Sequence, residues 1–240
     1  MKRLYVCDFD GTLYRKNDQR HYKSVIEQIR KTESGGSRVA VASGRPLHLL
    51  KPFFEDFDNM YFISSDGAVF SRGFDIISDR HIDKTELKKF AEKNRIDYVA
   101  YGQCISYMNV SDRSSKIKID KFFRGHTVKI NSIDEINEDV YKVFFIGETK
   151  NADFLEKCWN SYGISEYTAK GVNKGYGLCT AREYLGFKRE ETIAVGDGLN
   201  DISMMEQAGT SCAMISAPPA VKAKADKVTD DILNILRGEA

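Results

Sequence analysis

Cys7-Asp8-Phe9-Asp10-Gly11-Thr12-Leu13 decides how the rest of the chain is read. The heptad follows the apolar run Leu4-Tyr5-Val6, so Asp8 and Asp10 stand where a short strand breaks into a glycine-bearing loop. Two like charges held within a few ångströms are costly unless a cation, a proton or donor groups compensate. Gly11 permits a sharp turn and a close ligand approach, Thr12 adds a hydroxyl, and Leu13 returns the chain to the interior. The pattern suits a nucleophilic carboxylate beside a second one that handles protons, with a divalent metal neutralising both. A calcium loop is the rival reading, but it needs further acids at alternate positions and a bidentate Glu at its end. Thr12, Leu13, Tyr14 and Arg15 follow instead. A solvated turn is the other rival.

Outward from the heptad, strand-like and helix-like pieces alternate. Leu4–Cys7 reads as a strand, and Tyr22, Val25, Ile26 and Ile29 recur at helical spacing until Ser34-Gly35-Gly36-Ser37. Arg38–Ala42 is an almost unbroken apolar run, as in a strand buried on both faces, and Tyr61–Ser64 is a third strand. Strands separated by helices imply right-handed βαβ units and a parallel sheet. From about Asp83 the style changes to a helix at Thr85–Arg95, strands at Tyr98–Tyr101, Ile105–Val110 and Tyr141–Gly147, and a helix at Ala152–Tyr162. The βα style resumes near Gly171, with a helical stripe of Leu178, Ala181 and Leu185, a strand at Thr192–Val195 and a helix at Ile202–Gln207. A strand at Ser211–Met214 and a helix at Asp231–Arg237 complete it. The expectation is an α/β fold: a parallel-sheet, Rossmann-like core of residues 1–82 and 171–240, interrupted by an α+β insertion at 83–170.

Composition narrows the class. The 240 residues carry a formal net charge of +1, with 42% hydrophobic and 30% charged residues, which is ordinary for a soluble globular protein. No long basic run points to nucleic acid, and no stretch approaches the roughly 20 apolar residues that span a bilayer. The five Cys form no C-x-x-C pair, which fits a reducing compartment and argues against zinc or redox chemistry. The amino terminus lacks the pattern of a secretory signal, so a cytoplasmic location is expected. Nothing signals an oligomeric state.

Three more loops share the character of the first. Ser43-Gly44 ends a strand immediately before a helix, where a hydroxyl and unpaired N–H groups attract anions; a simple helix cap is the alternative. Lys174 opens a helix in Gly171-Val172-Asn173-Lys174-Gly175, an unfavourable place for a cation unless an anion or solvent faces it. Gly196-Asp197-Gly198-Leu199-Asn200-Asp201 is a tight turn whose two acids, four apart, come to one side as the helix begins. Together the loops supply four acids, one Lys, one Ser and several N–H donors. Phosphate oxygens around a carboxylate-held Mg²⁺ account for such a set.

These four loops, in this order, resemble the motifs of the haloacid dehalogenase superfamily of phosphohydrolases: Asp8–Leu13, Ser43 in VASGR, Lys174 in GVNKG, and Gly196–Asp201. The long insertion and the run AMISAPPAVKAKADKVTDD resemble its Cof-type capped branch, a group of sugar-phosphatase-like enzymes. The resemblance implies that Asp8 is a nucleophile forming an aspartyl-phosphate, while Asp10 protonates the leaving alcohol and then activates water. It implies Mg²⁺ on Asp8, the Asp10 carbonyl and Asp197, with Asp201 in support, and phosphoryl oxygens gripped by Ser43, Gly44, Lys174 and Asn200. The substrate would be a small phosphorylated metabolite. A phosphotransferase or mutase using the same intermediate, and a non-catalytic phospho-ligand sensor, are the competing readings. Two stretches depart from the branch: Ser64-Ser65-Asp66-Gly67-Ala68 stands where Asn-Gly-Ala is usual, which adds an acid near the cleft mouth, and Met214-Ile215-Ser216-Ala217-Pro218 replaces Met-Gly-Asn-Ala. Tyr101, Tyr107, Arg113, Lys116, Lys118, Arg124 and His126 are the insertion's residues for substrate contact.

Overall fold

The structure is a computed structural model that describes residues 2–239 apart from 58, 112–126, 148, 150, 151 and 162. The chain opens with β1 (Leu4–Asp8), β2 (Arg38–Ala42), β3 (Tyr61–Ser64) and a hairpin of β4 (Val69–Arg72) and β5 (Asp75–Asp79). It continues with β6 (Asp97–Tyr101), β7 (Ser106–Asn109), β8 (Thr127–Lys129), β9 (Lys142–Ile146), β10 (Leu155–Ser161) and β11 (Ile164–Ala169). It closes with β12 (Thr192–Gly196), β13 (Thr210–Met214) and β14 (Lys227–Thr229). Two sheets result, one of order β14-β13-β12-β1-β2-β3-β4-β5 and one of order β10-β11-β9-β6-β7-β8.

In the first sheet every strand from β14 to β3 is parallel to its neighbour, and only the β4–β5 edge runs antiparallel. Side chains alternate across it, as the period of two requires. Tyr5, Cys7, Val39 and Val41 pack under the helices Gln19–Ser34 and Ile232–Arg237. Leu4, Val6, Ala40 and Ala194 pack against Leu178, Ala181, Met204 and Met205, from the helices Lys174–Leu185 and Ile202–Gln207. Covering both faces explains why Leu4–Cys7 is wholly buried. β1 lies between β2 and β12, where the strand order reverses, so its carboxyl end opens into the crevice where such sheets bind ligands. The expected α/β core is borne out.

The second sheet carries its own apolar core. Leu87 and Ala91 of the helix Lys84–Asn94 cover one face, against Tyr98, Ala100, Val143 and Phe145. One expected element is overturned: Ala152–Tyr162 is not a helix, because Leu155–Ser161 is β10, antiparallel to β11. A bulge between Lys157 and Trp159 shifts the strand's phase. That shift gives Leu155, Cys158 and Trp159 a spacing that imitates a helical face, while Gly163, at φ 72°, closes the hairpin. No helix among the described residues is long and apolar enough to cross a membrane.

Candidate active site

β1 delivers Asp8 to the end of the sheet, and the loop after it folds back on itself. Gly11 N–H donates to the Tyr14 carbonyl (2.9 Å), Leu13 N–H to that of Asp8 (3.2 Å) and Tyr14 N–H to that of Phe9 (2.8 Å). Gly11 has φ +92°, and a Cβ there would come within 2.4 Å of Asp197 Oδ2. The glycine is therefore required twice, by backbone conformation and by the approach of Asp197. Thr12 Oγ1 donates to Asp197 Oδ1 (3.2 Å), tying the first loop to the last.

The turn after β12 is organised by Asp201. Its Oδ2 accepts from the backbone N–H groups of Asp197 (2.9 Å) and Gly198 (2.8 Å). Gly196 must lack a side chain, since a Cβ there would lie 2.4 Å from that oxygen. Asp201 Oδ1 accepts from Lys174 Nζ (2.5 Å), which also donates to Asp8 Oδ1 (2.5 Å). Lys174 is 1% exposed, so of the two fates open to it in the sequence, burial against carboxylates is the one realised. Burial opposes its charge, but the Asp201 and Asp8 carboxylates outweigh that and raise its pKa. Asp8 is pushed well above the usual carboxylate range by burial and by the Asp201 charge, with Lys174 opposing. Burial and Asp201 raise Asp197 likewise.

Asp8, Asp197 and Asp201 each place an oxygen within 4.8 Å of the others. Three carboxylates against one ammonium leave an excess negative charge that a divalent cation would offset. The hard oxygen donors suit Mg²⁺. Because the protein's own donors engage both oxygens of Asp201, Asp8 and Asp197 are the better placed to hold a metal.

β2 pairs Ala42 with Asp8, so Ser43 and Gly44 leave the sheet beside the Asp8 loop. Ser43 is buried, and its Oγ accepts from Arg45 N–H (3.1 Å). The Gly44 carbonyl accepts from Lys142 Nζ (3.2 Å). Asn200 Nδ2 donates to Asp66 Oδ1 (2.8 Å), so in this arrangement its amide rests on a carboxylate of the core. The half-exposed Asp10 receives two hydrogen bonds from Arg45, Nε to Oδ2 (2.7 Å) and Nη2 to Oδ1 (2.6 Å). The Arg45 guanidinium lies over the rings of Phe9 and Phe53, which fixes its plane.

Sequence reasoning missed Arg45, Lys142 and Glu166. A lone Lys in the apolar run of β9 was a usable signal, since a charge in a buried strand implies a partner. Asp66, expected near the cleft mouth, is buried instead; burial opposes its ionisation, but Lys142 and Lys174 hold its carboxyl below the usual range. Among the insertion's residues, Tyr101 is buried and Tyr107 OH donates to Glu138 Oε1 (2.7 Å). Arg113, Lys116, Lys118, Arg124 and His126 lie outside the described residues.

Comparison with known proteins gives the family of the chain. The family model for haloacid dehalogenase-like hydrolases matches residues 5–234, and the chain belongs to that family. It is 27% identical over 242 residues to the 5-amino-6-(5-phospho-D-ribitylamino)uracil phosphatase YcsE of Bacillus subtilis, covering 95% of this chain and 90% of that one. The corresponding phosphatase YbjI of Escherichia coli is 26% identical over 269 residues, covering 99% and 97%. A solved sugar phosphatase of haloacid dehalogenase subclass IIB superposes with a TM-score of 0.81 at 25% identity, covering 99% and 98%. Within its family the chain is a phosphatase related to sugar and small-metabolite phosphatases.

Proposed function

We propose that the protein hydrolyses phosphate monoesters of small metabolites, sugar phosphates among them, through a phosphorylated Asp8, with Mg²⁺ as cofactor. Residues 1–82 and 171–240 act as the catalytic core and 83–170 as the cap, in the cytoplasm. The observation that carries the reading is the Lys174 ammonium between Asp8 and Asp201, with Asp197 alongside. A packing role does not account for three carboxylates clustered about a single buried ammonium.

In this reading a carboxylate oxygen of Asp8 attacks phosphorus as the bond from phosphorus to the leaving oxygen breaks. Asp10, once free of the Arg45 guanidinium that engages both its oxygens here, gives its proton to the departing alkoxide. Asp10 then takes a proton from the water that attacks the acyl phosphate, releasing inorganic phosphate and regenerating Asp8. Lys174, the Ser43 hydroxyl, the Gly44 N–H and Asn200 hold the phosphoryl oxygens, where charge is greatest in the transition state. Mg²⁺ held by Asp8, the Asp10 carbonyl and Asp197, with Asp201 in support, would supply further neutralisation of that charge. The test is release of inorganic phosphate from p-nitrophenyl phosphate and a panel of phosphorylated metabolites. Activity that EDTA abolishes and Mg²⁺ restores supports the reading; no release from any of them refutes it.

A further inference from the structure

Lys142 belongs to β9 in the cap, yet its ammonium is bonded to the core. The side chain is 2% exposed, with Nζ 2.5 Å from Asp66 Oδ2 and 3.2 Å from the Gly44 carbonyl. It also lies 2.5 Å from Glu166 Oε2 on β11. β9 and β11 pair Lys142 with Thr168 and Phe144 with Glu166, so Glu166 is the diagonal neighbour that braces the lysine from its own sheet. On the core side, the second oxygen of Asp66 accepts from Asn200, and the Asp66 N–H donates to the Ser43 carbonyl (3.0 Å).

The core presents Asp66 by a strained turn. Ser65 and Asp66 have φ of 51° and 54°, a region that side-chain-bearing residues adopt only when their surroundings hold them there. Ser65 N–H donates to the Arg45 carbonyl (2.8 Å), and a Cβ on the adjoining Gly67 would reach within 2.1 Å of the Asn173 carbonyl oxygen. The turn is thereby clamped between the loop of Ser43–Arg45 and the start of the Lys174 helix.

We propose that Lys142 is a positioning residue, carried by the cap, that sets the Gly44 loop directly and Asn200 through Asp66, so that the phosphoryl-binding end of the site is fully assembled only when the cap is seated. The proposal rests on the phosphatase reading above. Lys142 touches no reacting atom in this scheme. Its effect falls on the phosphoryl group common to all substrates, not on the leaving group.

The test compares wild type, Lys142→Met, Asp66→Asn, the double variant and Lys142→Arg as full-length proteins with Mg²⁺. The substrates are p-nitrophenyl phosphate and the best sugar phosphate of the panel. An inactive wild type overturns the phosphatase reading and this proposal with it; an active wild type isolates the proposal. Lys142→Met is expected to lower kcat between about 10- and 100-fold, the scale of a small misplacement of binding groups, and equally for both substrates. Lys142→Arg should recover part of that, and the double variant should lose no more than Lys142→Met alone. Unchanged kcat and KM with only a lower melting temperature would reduce Lys142 to a structural pair and overturn the proposal. Multiplying losses in the double variant, or a loss confined to one leaving group, would overturn it as well. Should Lys142→Met fail to fold, the double variant decides, since wild-type kcat in that folded protein is equally fatal.

Discussion

Lys174 Nζ lies 2.5 Å from Asp8 Oδ1 although the two residues are 166 positions apart in the chain. The contact joins the carboxyl end of β1 to the start of the helix Lys174–Leu185, and it places an ammonium against the carboxylate proposed as nucleophile. Replacing Lys174 with Met leaves Asp8 and Asp201 buried without their cation. Breaking one side of such a pair costs about 3–5 kcal/mol, so the variant should melt earlier in urea and release no phosphate. Full stability with retained turnover would contradict this assignment.

Asp8→Asn separates function from stability in the opposite direction. Burial and the Asp201 charge make the Asp8 carboxylate unfavourable in the metal-free fold, and an amide removes that charge. Turnover should fall to background while the metal-free melting temperature holds or rises. Calorimetry and a phosphate-release assay on one preparation suffice.

Asp10→Asn should discriminate between leaving groups. General acid catalysis contributes roughly 10²–10⁴-fold, but only where the departing oxygen needs a proton. A sugar phosphate should therefore lose far more than p-nitrophenyl phosphate, whose phenolate leaves readily. Equal losses on both would place Asp10 outside proton transfer.

Magnesium should stabilise the protein in neutral buffer more than in acid. Asp8 and Asp197 have carboxyls raised above the usual range, first by burial and then by Asp201. A raised acid holds its proton more tightly when folded, so its contribution to stability is present below the unfolded carboxylate range and lost as pH rises through the raised value. Mg²⁺ offsets that loss, by about 2.7 kcal/mol at a concentration a hundred times its Kd. Melting curves with Mg²⁺ and with EDTA should diverge in neutral buffer and converge in acid; coincidence at every pH would count against the metal site.

Asp231 offers a control remote from catalysis. It caps the helix Ile232–Arg237, accepting from Leu233 N–H (3.0 Å), and lies 2.9 Å from His21 Nε2. Burial works against its charge, but the His21 and Leu233 hydrogen bonds prevail and lower its pKa. Its contribution is thus present above the unfolded carboxylate range and lost as pH falls through the depressed value. Asp231→Ala should cost about 1 kcal/mol in neutral urea melts, narrowing in acid, with turnover unchanged.

The four loops were legible because each demands particular residue types at short spacing: Gly11 beside an acid, or Gly196 and Gly198 around Asp197. The parallel core was legible because β1 and β2 are apolar on both faces. What stayed hidden depends on partners distant in sequence. Lys142 in its apolar run signals only that a partner exists; which one is settled when Asp66, 76 residues earlier, comes to meet it. Asp66 reads in the sequence as an acid near the cleft mouth, because only the folded turn shows that it is buried. β10 was misread because its bulge reproduces helical spacing, which local pattern alone does not separate from a true helix.

The interleaving of β1 between β2 and β12 bears on how the molecule is born. Its first strand finds one neighbour early but waits for the other until residue 192 has left the ribosome, while β6–β11 are contiguous and close on themselves sooner. The carboxylates that must crowd together are thus kept apart during most of synthesis. A chain arrested before β12 would carry β6–β11 complete beside a β1 that still lacks its second neighbour.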